Sequence, residues 1–133
     1  MNKYRVLVDS SVWIQYFKFG KIDYLDNLIE NDLVCINDLI LTELGPKLIH
    51  QKRTDIWDSL NALEKIATRI DWEMIREYQI INIRSGINNV GIPDLIIMQQ
   101  VIEEKLALFT LDKHFKLMQS FLTFELIQAS ESP

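Results

Sequence analysis

The sequence predicts a three-layer α/β/α sandwich with a central parallel β-sheet. Three observations carry this. Short apolar segments alternate with longer stretches of helical periodicity along the chain, and those segments lack the polar face that a half-solvated strand would show. With only Gly 4 and Pro 3, and no repeat, low-complexity tract or Ser/Gly linker, the 133 residues read as one unit, 1–133.

Tyr4 to Val8 is a strand, closed by Asp9-Ser10-Ser11, which can cap the helix Val12 to Phe17 ending near Gly20. A helix over Tyr24 to Glu30 puts Tyr24, Leu25, Leu28 and Ile29 on one face, and Leu33 to Ile36 is the next strand. Leu41, Leu44 and Leu48 give helical spacing to Leu39–Ile49, with a break or kink expected at Pro46. After the polar stretch Gln51 to Asp55, Trp57, Leu60, Leu63 and Glu64 continue a helix, and Ala67 to Ile70 is a short strand. Asp71 caps a helix reaching Arg84 and stopping at Ser85-Gly86. Asn88 to Gly91 is a loop, and Pro93 suits the first turn of a helix running to about Glu104. Ala107 to Thr110 is a strand, Lys113 to Gln119 a helix and Thr123 to Ile127 a last strand.

Lys+Arg 14 against Asp+Glu 19 leaves a net charge of −5, which excludes a protein that coats nucleic acid by bulk positive charge. It does not exclude an enzyme that meets phosphate through metal ions held by carboxylates. No apolar stretch is long enough for a signal-peptide core or a membrane span, so a soluble, cytoplasmic protein is expected. One cysteine, Cys35, rules out an internal disulfide and a Cys-cluster zinc site. Walker and Rossmann glycine patterns are lacking. An aspartyl-phosphate phosphatase would want a second acid two residues after Asp9, where Ser11 stands. Trp13, Tyr16, Phe17 and Phe19 crowd the first helix, where they serve core packing, a partner-binding groove, or both.

Parallel sheets receive ligands at their carboxyl edge. Asp9 and Asp112 follow strands, Asp94 opens a helix, and Glu43 lies on the helix after the second strand. Singly, each has an ordinary explanation as a helix cap or a solvated charge. Together, four carboxylates at one edge repel and call for a cation; with no His or Cys cluster, hard oxygen donors favour Mg²⁺ or Mn²⁺ over Zn²⁺. The chemistry that most often uses such a site is phosphodiester or phosphoryl transfer. His50 and His114 are read as solvated or hydrogen-bonded imidazoles, not ligands.

Four fragments then resemble a known family. Val8-Asp9-Ser10-Ser11-Val12, Leu41-Thr42-Glu43-Leu44, Ile92-Pro93-Asp94-Leu95-Ile96-Ile97 and Phe109-Thr110-Leu111-Asp112-Lys113-His114-Phe115 stand in the order of the PIN-domain ribonucleases, specifically the VapC-type toxins of toxin–antitoxin pairs. The resemblance implies that Asp9, Glu43, Asp94 and Asp112 hold Mg²⁺ or Mn²⁺ and catalyse RNA hydrolysis, with Ser10 and Thr110 as polar support. It implies inhibition of translation, silencing by a VapB-like antitoxin whose tail fills a groove, and a homodimer. Lys47, Lys52, Arg53, Arg84 and Lys113 would form a local positive rim for the RNA backbone. Two departures stand out. Ile97-Met98-Gln99 replaces the usual Ile-Ala-Ala, which suggests looser helix packing, and the loop Ile87 to Gly91 is long and Asn-rich. A phosphatase using the same acids and a catalytically silent binding module are the alternatives.

Overall fold

A computed structural model describes residues 4–128, so the expected unit 1–133 extends past the described residues at both ends. Among the described residues five strands form one sheet: β1 (Val6–Val8), β2 (Val34–Ile36), β3 (Glu64–Lys65), β4 (Ala107–Thr110) and β5 (Glu125–Gln128), in the order β3-β2-β1-β4-β5. Every pairing is parallel. Parallel neighbours need long crossovers, and among the described residues seven helices supply them: α1 (Ser10–Phe19), α2 (Asp23–Glu30), α3 (Asp38–His50), α4 (Thr54–Asn61), α5 (Trp72–Arg84), α6 (Ile92–Glu103) and α7 (Lys113–Met118). The result is the expected three-layer α/β/α sandwich. β1, β2 and β4 are buried along their whole length, which is why they show no polar face in the sequence.

Strand order places the site. The chain moves outward from β1 to β3, then returns to the other side of β1 as β4, and the crevice between the carboxyl ends of β1 and β4 is therefore the topological switch point. Val8 is in register with Phe109, and the Asp9 N–H donates to the Phe109 carbonyl at 2.9 Å, so the residues following both strands emerge side by side.

Most elements lie where the sequence places them, and one strand does not. Ala67 to Ile70 is not a strand; Glu64–Lys65 is, paired with Cys35 and Ile36, while α4 already ends at Asn61. Both strand residues are exposed and charged, as suits a sheet edge guarded against further pairing, so the apolar signal of a strand is missing. The expected break at Pro46 is absent, and α3 runs through it. Nor do Met98 and Gln99, which stand where the usual alanines would, leave α6 loosely packed, since both are buried. Gln99 Nε2 donates to the Arg69 carbonyl at 2.8 Å and its Oε1 accepts from the Asp71 N–H at 3.0 Å, pinning the extended segment after β3.

α1 closes at Gly20, whose φ of +79° is open to glycine at little cost and whose N–H reaches the Tyr16 carbonyl at 2.7 Å. Gly45 has a different reason. A Cβ there would lie 2.7 Å from the Trp57 ring, the contact that seats α4 on α3. Gly45→Ala is expected to cost about 1–3 kcal/mol by overpacking, measured by urea unfolding. Cys35 is buried, and burial pushes its thiol up to about 12, in keeping with an inert structural cysteine. Among the described residues no helix is long and apolar enough to cross a membrane.

Candidate metal centre

Asp9 occupies the N-cap position of α1, yet its carboxylate makes no capping bond. Two hydroxyls hold it instead. Ser11 Oγ donates to Asp9 Oδ2 at 2.7 Å and Thr110 Oγ1 donates to the same oxygen at 2.8 Å. Each hydroxyl also accepts a backbone N–H of the loop after β4: Ser11 from Leu111 at 3.1 Å, Thr110 from Asp112 at 3.0 Å. The buried Asp9 is thereby fixed to the segment that carries Asp112. Asp112 does cap its helix, Oδ1 accepting from the His114 N–H at 2.9 Å, and the same oxygen lies 3.0 Å from His114 Nδ1.

Asp94 sits in the first turn of α6, and among the described residues no hydrogen bond reaches its carboxylate. Burial, then the charges of Asp112, Asp9 and Glu43, push its pKa from 3.8 up to about 6, with His114 pulling the other way. Glu43, on α3, accepts from Ser10 Oγ at 3.2 Å. Its pKa is raised by burial, lowered by that hydrogen bond and raised again by Asp9. The charges of the other three acids predicted from the sequence therefore all reach Asp94 at one edge. Asp94, Asp112 and His114 also form a group that can hold a metal ion, with one ligand atom from each within 4.8 Å of the others.

The model of the PIN domain family matches residues 6–119. The chain belongs to the PIN-domain family. Solved structures with the same fold include a DNA-bound VapBC from Salmonella typhimurium, with TM-score 0.76 and 15% identity, covering 96% of this chain and 99% of that one. VapBC2 from Rickettsia felis, bound to a DNA fragment from its promoter, gives 0.74 and 18%, covering 92% and 97%. VapBC-5 from Mycobacterium tuberculosis gives 0.69 and 21%, covering 95% and 99%. Among curated proteins, no match was found.

The donor set of this PIN domain fits a hard divalent cation. A half-buried carboxylate that meets no hydrogen-bond donor among the described residues, beside three other acids, is a charge offset there only in part, by His114. Two participants escaped the sequence reading. Ser11 is polar beside a cap, a very common pattern, and only the paired β1 and β4 ends bring it to Leu111. The sequence reading makes His114 no ligand, whereas Asp112's capping bond to its N–H sets the imidazole Nδ1 3.0 Å from Asp112 Oδ1 and within the group that can hold a metal ion.

The predicted basic rim is only partly assembled. Lys47 and Arg53 line a groove of about 460 Å³ with Glu43, joined by Lys18, which the sequence reading left out. Lys113 follows Asp112 directly at the start of α7. Lys52 and Arg84 are exposed and do not line that groove. On the other side of Phe17, Trp13, Tyr16, Ile56 and Leu60 line an apolar groove of about 380 Å³. Trp13 is buried, while Tyr16 and Phe17 are half-buried, so the aromatic helix serves both core and groove.

Thr110→Val tests the hydroxyl clamp. It removes one donor to Asp9 and the acceptor for Asp112 N–H at a fully buried position, and is expected to cost about 1–3 kcal/mol in urea unfolding with chelator present. A loss below about 0.5 kcal/mol would show that the clamp carries no weight.

Proposed function

We propose that this PIN domain is a Mg²⁺- or Mn²⁺-dependent endoribonuclease acting as a VapC-type toxin, a single nuclease unit over residues 1–133, working in the cytoplasm. The observation that carries the reading is Asp94: its carboxyl, whose pKa is pushed up by burial and then by Asp112, Asp9 and Glu43, sits with Asp112 and His114 in a metal-holding group at the switch point of the sheet. Asp9, Glu43, Asp94 and Asp112 would hold the ion directly or through water. When bound, the ion lowers the pKa of water and offsets charge developing on the phosphate oxygens. The protein's own part is to fix geometry. Ser11 and Thr110 lock one oxygen of Asp9, leaving Oδ1 without a hydrogen bond among the described residues, and Ser10 steadies Glu43.

Lys47, Arg53 and Lys18 line the groove that begins at Glu43 and supply positive charge for an RNA backbone on an otherwise acidic protein. Lys113 adds a charge beside Asp112, and Lys52 and Arg84 complete the proposed rim. The apolar groove beside Phe17 supports a VapB-like antitoxin as partner, in line with VapBC complexes of the same fold, and a homodimer is proposed with it. A substrate panel tests the assignment. RNA should be cut with Mg²⁺ or Mn²⁺ and spared with chelator, while small phosphomonoesters are untouched. Turnover of phosphomonoesters without RNA cleavage would establish the phosphatase alternative, and activity on neither would favour the silent binding module.

A further inference from the structure

Asn37 and Gln100 are both buried, and together they join the two helices that carry Glu43 and Asp94. Asn37 follows β2 and caps α3, its Oδ1 accepting from the Ile40 N–H at 2.8 Å. Its Nδ2 donates to Gln100 Oε1 at 2.6 Å. Gln100 Nε2 in turn donates to the Ala67 carbonyl at 3.0 Å and the Ile66 carbonyl at 3.4 Å, just past β3. Capping needs only an oxygen, which serine would supply. The extra Asn37 donor and the buried amide at 100 on α6 are what link the helices. Both side chains are satisfied, and such a closed interior network fixes a separation rather than merely filling space.

Glu43 lies six residues after Asn37 on α3, and Asp94 six residues before Gln100 on α6, each about 9 Å along a stiff helix. A change in spacing at the amide pair is thus carried to the carboxylates. We propose that Asn37 and Gln100 are positioning residues that hold α3 and α6 at the separation Glu43 and Asp94 need to share a divalent cation. This rests on the reading of the carboxyl edge as a metal centre.

Calorimetric titration of Mn²⁺ into the metal-free protein, without RNA, tests it. Asn37→Ser keeps an acceptor for Ile40 and loses the bridge; Gln100→Met loses it from the other side. Each is expected to weaken Mn²⁺ binding about tenfold or more, as loss of a supporting contact around a metal does. The double variant should be no weaker than the worse single, because both remove one link. Leu25→Ala, a buried truncation on α2, lowers the melting temperature and should leave Mn²⁺ affinity within about twofold of wild type. Folded Asn37→Ser and Gln100→Met with affinity within about twofold of wild type would overturn the proposal and leave the metal centre standing. If Gln100→Met does not fold, Asn37→Ser decides alone. A wild type that takes up no Mn²⁺ would instead remove the metal centre itself, and the positioning role with it.

Discussion

Asp94→Asn is expected to lose RNA cleavage by at least about a hundredfold while melting higher than wild type in chelator at pH 7. The loss follows from deleting one anionic donor at the proposed metal centre. The gain follows from the sign of its pKa shift. In the folded chain Asp94 titrates near 6 rather than 3.8, so between those values the folded state holds a proton that the unfolded state has released. Stability from this group therefore falls as pH rises through that window, and the full penalty is present above about pH 6. At face value the shift is about 3 kcal/mol, and screening by solvent at a partly exposed carboxylate reduces it to about 1–2 kcal/mol. Asparagine removes the penalty. Against it stands the favourable charge at the start of α6, worth about 0.3–1 kcal/mol. The larger effect wins, and the net is a rise of a few degrees on thermal melting, vanishing near pH 4.

Added metal reverses the order. At a hundred times its dissociation constant, a cation that binds only the folded state contributes about 2.7 kcal/mol to wild type, and the variant should gain little. A variant that melts below wild type in chelator and gains as much from Mg²⁺ would make Asp94 a helix-start residue and remove it from the metal centre.

Asp9→Asn is the second large effect, and its thermal signature differs. Asp9 is buried and its Oδ2 accepts from two hydroxyls, so an amide oxygen can take the same two bonds and the fold should persist. What disappears is charge at the centre of the switch point. Cleavage at matched Mg²⁺ should fall at least about a hundredfold. The Asp94 carboxyl, relieved of one neighbouring charge, should titrate lower than about 6, measurable by carboxyl NMR. Wild-type-like cleavage with an unmoved Asp94 titration would separate Asp9 from both the chemistry and the cluster.

The four acids were legible because Asp9, Asp94 and Asp112 stand at a strand end or helix start, where parallel topology gathers chain, and Glu43 lies on the helix that follows β2. Their meeting depends on strand order, which brings β4 beside β1, and no local pattern encodes that order. Glu64–Lys65 was invisible because an exposed edge strand of two charged residues has no apolar alternation. The roles of Gln99 and Gln100 were hidden for the opposite reason. A polar side chain inside a helix reads as solvated until the fold shows the carbonyls it meets. Ser11 and His114 fell between: each lies two residues from a recognised acid, but the Ser11 bond crosses from the start of α1 to the loop after β4, and the His114 N–H turns back onto a cap.

The most direct measurement is end-group analysis of RNA cut by the purified protein, with Mn²⁺ and with chelator, beside Asp9→Asn prepared identically. Water as the attacking group leaves no 2′,3′-cyclic phosphate, because the neighbouring ribose hydroxyl takes no part. The expected result is cleavage by wild type in Mn²⁺ only, with ends free of cyclic phosphate, and intact RNA with Asp9→Asn. Cleavage that persists in chelator, or in Asp9→Asn, or that leaves cyclic phosphate ends, would contradict a metal-dependent hydrolysis at this carboxylate edge.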